Sequence, residues 1–167
     1  KLAALLSGQD HPLCRKGNTL LNTLGHDACY GFYLTNTEMD DALWARLITD
    51  DTRRHIGDYD PFYVTEHFYN KADTDSHLSK ILYTDLKTYL PGDILVKVDR
   101  MSMAHSLEVR APILDHRVIE CAAAIPDTLK YRNGEKKYIL KQALQQRLPH
   151  DILYRKKMGF SVPLADW

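Results

Sequence analysis

From residue 73 to residue 148 apolar side chains recur at helical intervals, and proline or glycine separates the runs. That rhythm commits this stretch to consecutive helices with short links, a mainly α chain. The spacing predicts one helix carrying Leu78, Ile81, Leu82, Leu86, Tyr89 and Leu90, capped by Asp73 or Asp75 and stopped by Pro91-Gly92. A second begins near Asp93 with Ile94, Leu95, Val98 and Met101, which sets Asp99 and Arg100 beside a buried stripe. Pro112 biases Ala111 away from helical geometry, so LEVRAPILD reads as extended. Asp115 can then cap a helix from His116 to about Ile125, ended by Pro126. Asn133-Gly134 is a turn before a helix from about Glu135 to Leu148 that buries Ile139, Leu140, Ala143 and Leu144. The tail RKKMGFSVP is turn-like, with Gly159 supplying backbone freedom.

Residues 1–72 have a different texture and are expected to form a variable helical region, set apart from the core at 73–167. Thr37 with Asp40 forms an N-cap signal before Met39, Leu43, Trp44 and Leu47, which share one helix face. Another helix is expected at about 61–69, with Pro61 in its first turn. The chain begins at Lys1 rather than Met and ends at LADW, and both read as cut edges. No internal repeat and no low-complexity tract interrupts it.

Charge and cysteine content exclude several functions. Lys plus Arg and Asp plus Glu both number 22 in 167 residues, so no global field gathers nucleic acid or anionic lipid. The longest apolar runs, such as Cys121–Pro126, fall far short of a membrane span or a signal peptide. The cysteines Cys14, Cys29 and Cys121 are odd in number, so they cannot all pair within the chain, and a reducing, cytoplasmic location is expected.

Three groups of residues can carry chemistry. Asp99, Arg100, Ser102, Glu108, Arg110 and Asp115 crowd into one stretch, and any that are buried must be paired. Glu108 and Arg110, two apart in an extended segment, face one side and can share a bidentate partner or simply lock a loop. Lys136 and Lys137 open a helix at the end where the macrodipole disfavours cations, which leaves them solvated or aimed at a phosphate. Arg155, Lys156 and Lys157, ahead of Gly159, are a solvated run or a second phosphate-facing set. His11, Cys14, His26 and Cys29 have metal-like intervals, but their order matches no common zinc finger. Walker and dinucleotide glycine loops, a nucleophile elbow and an HExxH pair are all missing.

The stretch LPGDILVKVDRMSMAHSLEVRAPILDHRVIECAAAIP, residues 90–126, resembles the C-terminal synthetase domain of glutamine-dependent asparagine synthetases and related amidotransferases. The resemblance continues through GEKKYILKQAL at 134–144 and LPHDILYRKKMGFSVPL at 148–164. It implies the helical C-terminal portion of a larger α/β adenine-nucleotide α-hydrolase-like (PP-loop ATP pyrophosphatase) domain. It further implies a ligase that uses ATP and Mg2+ to adenylate a carboxylate, aspartate or another, which ammonia derived from glutamine then amidates. A sugar or cell-envelope precursor is an alternative acceptor, and a non-catalytic helical interaction domain is an alternative role. Homodimerisation is left open. The family's N-terminal glutaminase domain and its SGGxDS pyrophosphate loop are not in this sequence, so the chain alone is expected to be inactive.

By the same resemblance, Lys137 matches the catalytic lysine near the phosphates, and Glu108 and Arg110 match an ExRxPxLD element on the acceptor side. Asp99 and Arg100 match a DRxSM element in a supporting or contacting role, and Lys156, Lys157 and Gly159 match a phosphate-side loop. Two positions depart from the family pattern: Lys141 stands where arginine is usual, and Cys121 where an aromatic is usual.

Overall fold

The computed structural model describes residues 20–156 except 22, 38 and 40. The chain divides into two compact units, Lys1–Ala111 and Pro112–Trp167.

In the first unit the described helices are α1 (Ala28–Asn36), α2 (Asp41–Leu47), α3 (Asp50–Ile56), α4 (Phe62–Lys71), α5 (His77–Lys87) and α6 (Leu95–Met103). Helix α1 starts where the Asp27 carboxylate accepts from the Cys29 and Tyr30 amides at 2.9 and 3.1 Å. Thr37 closes it, and the Thr37 hydroxyl also accepts from the Met39 amide at 3.3 Å. The acidic partner expected for that threonine, Asp40, lies outside the described residues. Helix α4 forms where Pro61 was expected to open one, with Pro61 at its N-cap.

The small core of this unit gathers at α1, α4 and α5. Cys29, Tyr69 and Ala72 are its buried apolar residues, and Thr84 is 1% exposed with its hydroxyl donated to the Lys80 carbonyl at 2.9 Å. Gly31 permits a close approach, since a Cβ there would sit 3.1 Å from both Cγ2 and the carbonyl oxygen of Thr23. Edge-on ring contacts of Phe62 with Tyr30 and Tyr33, centroids 4.9 and 5.4 Å apart, join α1 to α4. The Tyr69 hydroxyl and His77 Nδ1 are 2.6 Å apart, which ties α4 to the start of α5.

Three expectations for this unit need correction. Ser76, not Asp73 or Asp75, caps α5, its hydroxyl accepting from the Ser79 amide at 3.2 Å. The bonds Thr74 N–H to Ala72 O and Ser76 N–H to Thr74 Oγ1 wrap 72–76 into a turn that takes up both aspartates. Pro91-Gly92 does not end the helical path either. The backbone swings out of helical values at Thr88 (φ −118°, ψ −71°), which reorients the Lys87 carbonyl that the Pro91 ring would otherwise strike. A π turn at Leu90–Ile94 then leads straight into α6, with the Leu95 amide donating to the Leu90 carbonyl. Finally, the stripe on α6 is not buried: Leu95, Val98 and Met101 are all exposed.

The second unit begins with a 3-10 turn, Pro112–Leu114, and helix α7 (His116–Ala124). Asp115 caps α7 as expected, accepting from the Arg117 amide at 2.9 Å. Pro126 ends that helix and leads a short one, α8 (Asp127–Lys130), which the sequence reading did not anticipate. Strands β1 (Tyr131–Arg132) and β2 (Glu135–Lys136) pair antiparallel, with Tyr131 opposite Lys136 and Arg132 opposite Glu135. Both turn residues have positive φ, 50° at Asn133 and 83° at Gly134, the requirement of a two-residue hairpin that Asn-Gly meets cheaply. Helices α9 (Tyr138–Leu144) and α10 (His150–Leu153) follow. No residue of this unit is fully buried among those described, so Ile139, Leu140, Ala143 and Leu144 line a face that is only partly covered.

Candidate functional site

The helix expected from Glu135 begins three residues later, and this moves both candidate lysines. The Asn-Gly hairpin draws Glu135 and Lys136 into β2, because cross-strand pairing satisfies their backbone groups better than an uncapped first turn would. Lys136 is therefore a strand residue. Lys137 sits at the corner between strand and helix, in the left-handed region at φ 58° and ψ 34°. Its carbonyl accepts from the Lys141 amide at 3.0 Å, the first bond of α9. A side chain in that conformation costs about 1 kcal/mol, so the surroundings must hold it there.

Several contacts join the hairpin and α9 around it. Lys141 Nζ lies 3.0 Å from Glu135 Oε1, the two side chains being only 21% and 26% exposed, and 4.5 Å from the centroid of the Tyr154 ring. Tyr154 in turn stacks on His150, centroids 4.5 Å apart. On the other strand, Arg132 lies over the Tyr138 ring at 5.2 Å and donates to its hydroxyl at 3.3 Å. Lys130 is drawn to Asp127 at 3.7 Å and to the Ala123 carbonyl at 3.3 Å. The exposed ammonium groups of Lys136 and Lys137 make no ion pair among the described residues. An anion approaching this corner meets two uncommitted cations. A shallow open hollow nearby is lined by Thr128, Leu129, Tyr131, Arg132 and Asn133, and does not include Lys137.

In the first unit the structure brings together only one of the expected groups. Glu108 and Arg110 do face one side, but they bind each other instead of sharing a third partner. Arg110 Nε donates to Glu108 Oε1 at 2.7 Å, and Nη2 reaches the same oxygen. With Arg110 86% and Glu108 66% exposed, water screens the pair, so it contributes under about 1 kcal/mol and opens readily. Asp99 and Arg100 lie exposed on α6, where the Asp99 carbonyl accepts from the Ser102 hydroxyl at 3.1 Å. Lys156 is exposed in the second unit, while Lys157 and Gly159 lie outside the described residues.

His11 and Cys14 also lie outside them, and no group of three or more His, Cys, Asp or Glu that could hold a metal ion occurs among the described residues. His26 is exposed, whereas burial first, and then the charges of Asp27 and Glu66, push the Cys29 thiol above its ordinary pKa. That keeps Cys29 protonated, a poor nucleophile and a poor ligand.

Sequence reasoning missed Glu135 and Tyr154, and saw Lys141 only as a departure from arginine. A strand, a left-handed residue and a helix separate Glu135 from Lys141, so no single period relates them. The available signal was Asn133-Gly134 between two short polar-aromatic runs, which marks a hairpin and moves Glu135 out of the helix.

These helices with their one described hairpin make a mainly α chain, in which Lys136 and Lys137 stand at an exposed corner. The sequence model for asparagine synthase matches residues 17–167, and the chain belongs to that family, in the helical part of its PP-loop ATP pyrophosphatase-like domain. Glutamine-hydrolysing asparagine synthetase 1 of Bacillus subtilis (strain 168) is 44% identical over 104 residues, covering 62% of this chain and 16% of that protein. Asparagine synthetase 3 of the same strain is 42% identical over 90 residues, 54% of this chain and 14% of the relative. The Gallus gallus enzyme is 35% identical over 101 residues, 59% of this chain and 18% of the relative. The chain thus spans less than a fifth of the length of these relatives. No solved structure matches it.

Proposed function

We propose that this chain forms the helical part of an ATP-dependent, amide-forming ligase of the asparagine synthetase type. In that reaction a carboxylate oxygen of aspartate, or of another acceptor, attacks the α-phosphorus of ATP and pyrophosphate leaves. Ammonia derived from glutamine then attacks the acyl carbon, AMP departs, and the nitrogen gives up a proton. The observation that carries the reading is Lys137, which by resemblance corresponds to the family's phosphate-side lysine, in a left-handed corner with no anionic partner among the described residues. An ammonium fixed there stabilises charge that grows on the phosphates in the transition state.

The other residues take roles consistent with their surroundings. Glu108 and Arg110 serve the acceptor side, their exposed pair opening to a ligand at small cost. Asp99 and Arg100 support that side from α6, and Lys156, with Lys157 and Gly159, contributes a phosphate-side loop. Magnesium would neutralise phosphate charge, and since no group of three or more His, Cys, Asp or Glu gathers among the described residues, none of them is assigned to hold it. Cys29 and Cys121 are free thiols, which suits a cytoplasmic setting.

Lys137→Ala in the intact polypeptide tests the reading. Turnover with saturating ammonia should fall roughly a hundredfold to a thousandfold, the cost of removing one preorganised charge contact. Lys136→Ala, on the neighbouring strand position, should be far milder. Near-normal ammonia-dependent turnover in Lys137→Ala would overturn the assignment.

A further inference from the structure

The corner that presents Lys137 is built from a pair of charges whose purpose the fold alone does not explain. Glu135 leaves the strand two residues before Lys137, Lys141 stands one helical turn after it, and they meet at 3.0 Å across the corner. The Tyr154 ring backs the Lys141 ammonium at 4.5 Å. The two side chains are partly buried, so solvent screens this contact less than it screens the Glu108–Arg110 pair. Arg132 stands opposite Glu135 in the hairpin, yet its guanidinium is taken by Tyr138 and leaves the Glu135 carboxylate to Lys141.

We propose that the Glu135–Lys141 pair, braced by Tyr154, is the positioning device for Lys137: it pins the left-handed corner and occupies the carboxylate that would otherwise capture the Lys137 ammonium. The inference rests on the reading of Lys137 as the phosphate-facing cation, and adds to it how that cation is kept available. Without Lys141, Glu135 is left unpaired two residues from another lysine, and a salt bridge between the two neutralises the charge meant for phosphate. Arginine at 141 preserves the pair, since its fork also satisfies a carboxylate. Glu135, Lys141 and Tyr154 are positioning residues and touch no reacting atom.

The test uses the intact polypeptide and two readouts. The first is the rate at which an amine-acylating reagent modifies Lys137, followed by mass spectrometry with Lys97 as internal reference. In Lys141→Met that rate should drop by roughly three- to tenfold, as a salt bridge to Glu135 takes the Lys137 amine out of reaction. In Lys141→Arg it should match the unaltered protein. It should also recover in the double variant Glu135→Gln/Lys141→Met, where no capturing carboxylate remains. The second readout is ammonia-dependent turnover: Lys141→Met should lose about ten- to hundredfold in kcat with little change in KM for ATP, and Lys141→Arg should retain most of it.

An unchanged labelling rate in Lys141→Met overturns the proposal, even if kcat falls, because loss of activity alone would also follow from general loosening. A double variant that stays slow overturns it too. If Lys141→Met fails to fold, the reversed pair Glu135→Lys/Lys141→Glu decides: labelling within about twofold of the unaltered protein supports the bridge, and slow labelling refutes it. Labelling reports on the pair whether or not Lys137 serves catalysis, so its outcome stays separate from that of Lys137→Ala.

Discussion

At the scale of single residues, Lys137 sets availability of its charge against comfort of its backbone. Its left-handed conformation costs a lysine about 1 kcal/mol, a cost that glycine escapes. Lys137→Gly should therefore stabilise the protein by roughly 0.5 kcal/mol, after allowance for the freer unfolded chain, while lowering the proposed activity as Lys137→Ala does. Chemical denaturation measures the first effect, and a lowered midpoint would show that the corner is not strained. The role proposed for this lysine starts from the sequence, where the KKYILK run resembles the family pattern. Its conformation was not legible there, since the left-handed state depends on where β2 ends, which in turn depends on the register fixed by Asn133-Gly134. Glu108 and Arg110 show the same division: two-residue spacing put them on one side correctly, but which group each would bind is decided by side-chain torsions that spacing does not encode.

Among the elements, strong periodicity was readable and boundaries were not. Helices α5, α6 and α7 lie where their apolar intervals indicated, and Asp115 caps α7 as expected, whereas α1, α3, α8 and the hairpin, without clear stripes, were not foreseen. Ser76 took the cap of α5 from two aspartates because a local turn had already engaged the residues before it. Helix α5 also carries a carboxylate at odds with its setting. Burial raises the pKa of Asp85 above the ordinary 3.8, so the folded chain holds this proton to higher pH than the unfolded chain does. The contribution to stability is therefore fully present below pH 3.8 and is lost as pH rises through the folded value, leaving a charge at neutral pH that opposes folding. Asp85→Asn should raise the thermal midpoint at pH 7, with the advantage shrinking as the pH is lowered toward 3.8. A midpoint lowered at pH 7 would mean that the carboxylate has a favourable partner.

For the chain as a whole, what is uncovered matters as much as what is packed. Leu95, Val98 and Met101 on α6, with Leu107 and Val109 beyond it, present apolar surface to solvent, and the second unit has no fully buried residue among those described. Positioning supplies much of the rate in a reaction between bound groups, and the chain spans less than a fifth of the length of the relatives it matches. The 167 residues on their own should give no ATP–pyrophosphate exchange above a Lys137→Ala control, and steady exchange would show that they suffice. Family and helical class were legible at this scale because motif order survives in sequence; the open faces were not, because a hydrophobic stripe reads the same whether its neighbour is present or not. The cationic corner is independent of that question. Tyr131 pairs with Lys136 five residues on, Arg132 and Glu135 each reach six residues ahead, and the farthest brace, Lys141 to Tyr154, spans thirteen. Contacts this local require little loop closure, of a kind that hairpins and short loops complete in microseconds or less. Two dozen consecutive residues, 131–154, thus carry the instructions for Lys137, and its geometry can be established early in folding without waiting for any distant segment.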